Sequence, residues 1–393
     1  MSRENQPGSS MSTYDVIIIG AGSVGLPTAC FLAREKAKVL VIDDRSSHGQ
    51  GQNKTAIGGV RATHSDPAKI QTCKLSLEVF GTWQDLYGDD MHFQRGGYCF
   101  PVYEERDEKA LKDLLVIQKQ YGLNIDWVDE AGIRQRLPGI NPKGLLGGTF
   151  SPEDGNLSPI LAAGAFFRQA REFGAEFKFG ETVTGIEHGG GGIKVKTDKS
   201  AYSADKLINA AGARAREVGK MMGVALPIAP DSHEGGVTEP VEPFFKPLVV
   251  DIREFPGSKN IYFYQEKLGH LIFCLTPEPI IPGTSRESTS TFLPLVARRL
   301  MNLFPRLRNL RVRRIWRGLY PMTPDGVPIV DHLRDKDGLY VAVGFCGQGL
   351  MLGPGIALNL VSLITKGQPL LPKEIFNSYS LYRDFNRASE TLK

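Results

Sequence analysis

The first patterned stretch of the chain is an unbroken apolar run, Val16-Ile17-Ile18-Ile19, which reads as a strand buried on both faces. A glycine turn follows at once. Residues 24–34 then return apolar positions at helical spacing, and 39–42 is a second all-apolar run that ends in Asp43. Further on, the pattern predicts a long helix over 66–87, with Pro67 in its first turn and an apolar face of Leu75, Val79, Trp83 and Leu86. A short strand is expected over 97–102, and helices over 108–121 and 129–137, the latter stopped by Pro138. The stretch 138–159 is rich in Gly and Pro and reads as irregular connection. Helical spacing resumes over 160–173. Strands are expected over 182–187 and 193–197, joined by a turn at 189–192, and a third over 202–209 ends on the small residues Ala210-Ala211-Gly212-Ala213. Residues 237–281 are β-rich, 291–304 reads as a helix and 311–315 alternates like a strand. The stretch 338–365 reads as strand, glycine-rich turn and long helix.

Segments of nucleotide-binding character thus occur at the start, the middle and the end, separated by inserts of different pattern. The fold class this implies is α/β with an α+β cap: a doubly wound Rossmann-like domain interleaved with a mixed-sheet substrate domain. The first is expected from 13–88, 150–224 and 323–378, the second from 89–149 and 225–322, with tails at 1–12 and 379–393. A chain of 393 residues has room for two such domains.

Composition narrows the class only modestly. A net charge of +4 with no basic stripe interleaved with aromatics gives no reason to expect a nucleic-acid partner. No apolar run reaches the roughly 18 residues of a membrane span, and 1–12 lacks the apolar stretch of a signal peptide. The five cysteines are scattered and form no C-x-x-C pair, which suits a reducing, cytoplasmic location and argues against a zinc site.

The sharpest chemistry lies in Gly20, Gly22 and Gly25, spaced G-x-G-x-x-G between a strand and a helix, with Asp43 about twenty residues further on. Gly20 permits a tight turn, Gly22 lets the backbone approach a pyrophosphate, and Gly25 lets helix and strand pack closely. The helix N-terminus offers unpaired N–H groups to phosphate, and Asp43 can accept from a ribose. These residues predict a dinucleotide but do not separate FAD from NAD.

Five segments in order, 15–25, 51–61, 209–213, 316–328 (WRGLYPMTPDGVP) and 344–354 (GFCGQGLMLGP), resemble the D-amino-acid oxidase-like flavoproteins over nearly the whole chain. Within that family the likeness is to the β subunits of heteromeric sarcosine oxidase and of dye-linked L-proline dehydrogenase. The resemblance implies FAD, and FAD-dependent oxidation of a small α-amino acid: a secondary amine such as proline or sarcosine, or glycine. Hydride would pass from Cα to flavin N5, and electrons onward to an acceptor or partner subunit. It places the cofactor on Gly20, Gly22, Ser23, Val24, Gly25, Asp43, Asp44, Thr55, Ala56, Val183, Ala211, Gly212, Asp325, Gly344, Gly347, Gln348, Gly349 and Leu350. The amides of the second glycine turn, 344–349, would meet the flavin pyrimidine edge, where negative charge develops.

By the same resemblance Arg61 binds the substrate carboxylate, a task suited to a guanidinium fork. Tyr320 stands where glycine oxidase has an arginine, and Gln348 where many relatives have histidine; both are carried as site residues. Gly318 and Thr55 replace the residues that attach flavin covalently in some relatives, so the FAD is expected to be noncovalent, with any FMN held at a subunit interface. Ile272 aligns with an oxygen-activating lysine, which favours a dehydrogenase over an oxidase. An oxygen-using oxidase, a 2-hydroxy-acid dehydrogenase and a non-catalytic flavin-binding assembly subunit remain the alternatives. No metal is expected.

Overall fold

A computed structural model describes residues 13–189 and 192–386, so the expected tail at 1–12 lies outside the described residues. The first apolar run is β1 (Thr13–Ile19), followed by α1 (Gly25–Arg34) and β2 (Val39–Asp43). A loop carries the short β3 (Gly59–Val60) into α2 (Pro67–Tyr87). Asp66 caps α2 by accepting from the N–H groups of Ala68 and Lys69, and Pro67 takes the first turn, where its missing N–H costs nothing. Next come β4 (Tyr98–Val102), α3 (Glu105–Gln120), β5 (Asp126–Asp129), α4 (Glu130–Arg136), β6 (Gly147–Ser151) and β7 (Gly155–Asn156). Then follow α5 (Pro159–Glu172), β8 (Glu176–Phe179), β9 (Val183–Gly189), β10 (Gly192–Thr197), β11 (Ala201–Asn209) and α6 (Ala215–Met221). A long antiparallel stretch holds β12 (Ala229–Pro240), β13 (Leu248–Asp251), β14 (Ser258–Gln265) and β15 (His270–Pro277), then α7 (Phe292–Leu303) and β16 (Val312–Met322). The chain returns through β17 (Ile329–His332), β18 (Leu339–Val343), α8 (Gly349–Lys366) and α9 (Lys373–Phe376).

The first sheet runs β17-β18-β11-β1-β2-β8, with β10 and β9 added beside β11. β1 lies parallel to both β2 and β11 in the interior of the sheet, and its buried stretch from Val16 to Ile19 is apolar throughout. Val16 and Ile18 pack under α1, α2, α5 and α8, while Ile17 and Ile19 meet α6 and the β9–β10 ribbon. α8 is long and apolar enough to cross a membrane by length and composition. Here it is a core helix, packed between α1 and α2.

The second sheet runs β16-β12-β15-β14-β13-β4-β6-β5. One face carries Phe263 and Phe273 against α7 and Phe304, the residue that ends it. The other presents Tyr98, Phe100, Tyr262, Tyr264 and Trp316. That aromatic face is stitched to the loop after β2. Trp316 Nε1 donates to the Thr55 carbonyl at 2.8 Å, Leu319 N to Gln52 Oε1 at 2.8 Å, and Tyr264 Oη to the Ile57 carbonyl at 2.5 Å.

Several sequence expectations are corrected. The inward face of α2 is Thr72, Cys73, Ser76, Phe80 and Trp83, whereas Leu86 is exposed. Thr72 and Ser76 face Gly355 of α8, whose N–H donates to Ser76 Oγ at 2.9 Å; small residues let the two helices approach, so hydrophobicity does not mark the contact. The expected irregular stretch 138–159 contains β6 and β7. Gly147 and Gly148 let β6 fit between β4 and β5, because a Cβ on either would meet a neighbouring carbonyl oxygen at about 2.5 Å. β12 begins at Ala229 and β16 continues to Met322, since the two strands pair along their whole length. The segment 379–386, expected as a tail, packs on the fold: Tyr379 is buried and Arg383 forms a two-pronged ion pair with Asp325.

Candidate functional site

The N-terminus of α1 and that of α8 open on one cleft of about 400 Å³, and Gly353 of α8 lies directly against the Ser23 carbonyl. The first glycine turn shows what the cleft is built to hold. Gly20 has φ of +112°, a conformation that excludes ordinary side chains. A Cβ at Gly25 would lie 1.9 Å from the Gly20 carbonyl oxygen, so this glycine is needed for the turn to sit on its helix. A Cβ at Gly22 would meet nothing within 4 Å. Gly22 borders the cleft, so the missing side chain leaves space for a ligand rather than for protein. Bare backbone at a helix N-terminus beside an open cleft fits a diphosphate.

Asp43 also borders the cleft. Its Oδ2 accepts from Ala21 N at 2.7 Å and its Oδ1 from Arg45 N at 2.8 Å, which fixes the carboxylate at the end of β2. Burial raises its pKa, and the two backbone donors work against that rise. Each oxygen keeps a second lone pair for a ribose hydroxyl. Beside it, Asp44 pairs with Arg214 at 2.5 Å and with Arg45 at 3.5 Å.

Of the residues expected around the cofactor, Gly20, Gly22, Ser23, Val24, Asp43, Asp44, Thr55, Ala56, Val183, Ala211, Gly212, Gly347, Gly349 and Leu350 line this cleft. Four do not. Gly25 lies beneath the turn as a packing residue. Gly344 packs against Thr323 and Ile228. Gln348 is buried outside the lining. Asp325 is 1 % exposed and accepts from Arg383, a partner from a segment too distant in sequence to be read locally. The sequence reading missed Gln52, Asn53, Glu181, Arg214 and Glu217 in the lining, and also Thr284 and Arg286 from the loop after β15. The lining contains neither cysteine nor histidine.

The cleft reaches Leu319 and Gly347, and the aromatic face of the second sheet lies directly behind them. A Cβ on Gly347 would stand 2.1 Å from the Tyr320 ring. Tyr320 Oη and Tyr262 Oη are 2.8 Å apart, and Cys274 reaches both hydroxyls. Burial, then the neighbouring Cys274, raises the pKa of both phenols well above the usual range, so they stay protonated. The His233 ring stacks on Tyr320 with centroids 3.7 Å apart. No sequence signal singled out His233, because the strand that carries it was expected to start after it. Among the described residues its Nδ1 has no hydrogen-bond partner.

Burial pushes the His233 pKa down to about 3, which makes it a neutral ring at working pH. The sign of its effect on stability follows. Between its ordinary value of 6.5 and about 3, the unfolded chain takes up a proton that the folded chain refuses, so stability is lost as pH falls through that window. Wild-type protein is expected to lose up to about 1.4 kcal/mol per pH unit from this group, and His233→Phe to show a flatter profile. Urea unfolding between pH 7 and 4 checks this; parallel profiles would remove His233 as the cause.

Arg61, expected at the substrate carboxylate, is not in the cleft lining. It is 7 % exposed, its Nη1 donates to the Thr63 carbonyl, and its guanidinium stands 6.0 Å from the Phe100 ring centroid. It belongs to the loop wrapped on Asp154, a fully buried carboxylate that accepts from Ala62 N at 2.7 Å and Thr63 Oγ1 at 2.5 Å. Ile272 pairs with Tyr264 across β14 and β15 and supplies no charge to the aromatic face.

A family model described as FAD dependent oxidoreductase (DAO) matches residues 15–363. Sarcosine oxidase subunit beta of Rhizobium meliloti is 28% identical over 367 residues, which cover 91% of this chain and 85% of that protein. The bifunctional protein ThiO/ThiG of a Nostoc species is 27% identical over 371 residues, 91% of this chain but 54% of its own length, so the chain spans about half of that relative. Among solved structures, L-proline dehydrogenase from P. horikoshii superposes with a TM-score of 0.88 at 28% identity, covering 95% of this chain and 98% of that one. Glycine oxidase from Geobacillus kaustophilus superposes with a TM-score of 0.85 at 22% identity, over 95% and 99% of the two chains, a likeness of fold.

Proposed function

The chain belongs to the DAO family of FAD-dependent oxidoreductases, and from that premise we propose that it oxidises a small amino acid at the carbon bearing its amine. The observation that carries this reading is the placement of His233, Tyr320 and Tyr262 directly behind Gly347, where the cofactor cleft meets the aromatic face. Relatives named sarcosine oxidase subunit beta and L-proline dehydrogenase support a secondary amine such as sarcosine or proline, with glycine as the smaller alternative.

Bound FAD supplies a two-electron hydride acceptor. The residues of this chain supply position and environment. The glycine turn and Asp43 would hold the dinucleotide, and a cleft lining without cysteine or histidine supports noncovalent attachment. Of the paired Tyr320 and Tyr262 hydroxyls, one donates to the other and the second keeps its proton to donate to a carboxylate, while the apolar surroundings exclude water. A substrate amine that leaves its ammonium proton to solvent on binding would give up hydride from Cα as an iminium, a step that needs no protein base, and the neutral His233 adds no charge against that cation. Water then hydrolyses the iminium. The apolar Ile272 supports passage of electrons to an acceptor or partner subunit in preference to oxygen.

Anaerobic titration with L-proline, sarcosine and glycine tests the reading. At least one is expected to bleach the flavin absorbance, with bleaching faster than any peroxide release in air. Flavin that stays oxidised with all three would sink the amino-acid reading, and peroxide formed at the full turnover rate would replace the dehydrogenase by an oxidase.

A further inference from the structure

We infer that Arg286 is a ligand for the diphosphate of FAD, carried to it on a strap that the cofactor fastens. The cleft lining holds four carboxylates, Asp43, Asp44, Glu181 and Glu217, against three guanidinium groups, Arg45, Arg214 and Arg286. Two of those cations are already committed. Arg45 and Arg214 both pair with Asp44, and Arg214 also meets Glu217 at 3.0 Å. Among the described residues Arg286 has no ion pair and no hydrogen bond, and it faces the same cleft as the first glycine turn. A dianionic diphosphate entering a cleft with an excess of carboxylates is favoured by a full positive charge in addition to backbone dipoles.

The segment that carries Arg286 is tied at both ends and loose between them. At one end Ser232 N donates to the Ile281 carbonyl at 3.0 Å and Gly283 N to the Pro230 carbonyl at 2.9 Å. At the other, Thr289 donates through N and Oγ1 to the two oxygens of Glu234, at 2.7 and 2.6 Å. Glu234 is buried and paired with the buried Arg317, which makes this a firm anchor. Residues 284–288 between the anchors are exposed and make one hydrogen bond, from Glu287 N to Ser285 Oγ at 3.4 Å. Such a segment can move while its ends stay fixed. The second sheet thereby reaches over to a cofactor held by the first.

Titration of flavin-free protein with FAD tests the assignment. Arg286→Ala is expected to raise the FAD Kd about 10- to 100-fold, Arg286→Lys by less, and the salt dependence of binding is expected to become shallower in the alanine variant. Riboflavin, which lacks the diphosphate, should bind both proteins alike. Trypsin should cut wild-type protein after Arg286 readily without FAD and at least about tenfold more slowly with it. Equal FAD affinity in wild type and Arg286→Ala overturns the proposal, as does an equal loss for riboflavin. Unchanged FAD affinity with a raised KM for the amino acid also overturns it and gives the arginine to the substrate. These binding and cleavage readouts need no turnover, so they stand whether or not an amino acid proves to be the substrate.

Discussion

A Gly22→Val variant is expected to fold as well as the wild type and to emerge colourless. The two glycines beside it would give a different result. A side chain at Gly25 collides with the Gly20 carbonyl, and Gly20 itself needs a positive φ, so substitutions there break the turn. The Cβ of a valine at position 22 meets no protein atom and projects into the cleft instead. The folded chain without cofactor loses nothing, while the diphosphate loses its approach to the backbone. Filling that space should cost FAD affinity about 100-fold or more. Urea unfolding of flavin-free protein should show equal midpoints, and absorbance of the purified protein should show no bound flavin. A yellow Gly22→Val protein would mean that the diphosphate lies elsewhere.

Arg61→Ala is expected to act on stability first. The side chain is enclosed, bonded to the Thr63 carbonyl and placed beside the buried Asp154. Burial raises the Asp154 pKa, while its hydrogen bonds with Thr63 and Ala62 and the Arg61 charge oppose the rise. Removing the arginine takes away a charge that favours the Asp154 carboxylate and leaves the Thr63 carbonyl without this donor, a loss of about 1–3 kcal/mol. The variant should therefore unfold at lower urea with or without FAD. An unchanged urea midpoint together with a KM raised about 100-fold would return Arg61 to the substrate carboxylate.

These two residues mark the limit of what the sequence shows. β1, the first turn, α1, β2 and Asp43 are legible because each is fixed by neighbours within about thirty positions: an apolar run, glycine spacing, helical period, a terminal acid. The cap at Asp66 and Pro67 is legible for the same reason. The direction of the Arg61 side chain is not, because Asp154 and Phe100, far along the chain, decide it. The Arg383 partner of Asp325 is not legible either, because it comes from a distant segment. His233 was hidden in a strand whose opening residues, Ala229 to Ser232, show no apolar alternation and take their extended form from pairing with β16. β6 was hidden by the glycines that let it fit. Arg286 stands in a polar loop with no motif, and only its place at the cleft gives it meaning.

The two helix N-termini that share the cleft, at Gly25 and at Gly349, stand at opposite ends of the message. A ribosome makes the first early and the second roughly 20 to 60 s later at ordinary synthesis rates. Until α8 emerges, the nascent chain can offer FAD one wall and no enclosure, and β1 lacks the β11–β18 side of its sheet for most of that time. Flavin capture is thus a late event in the life of each molecule, and a shortage of flavin should be felt by newly completed chains rather than by those already loaded.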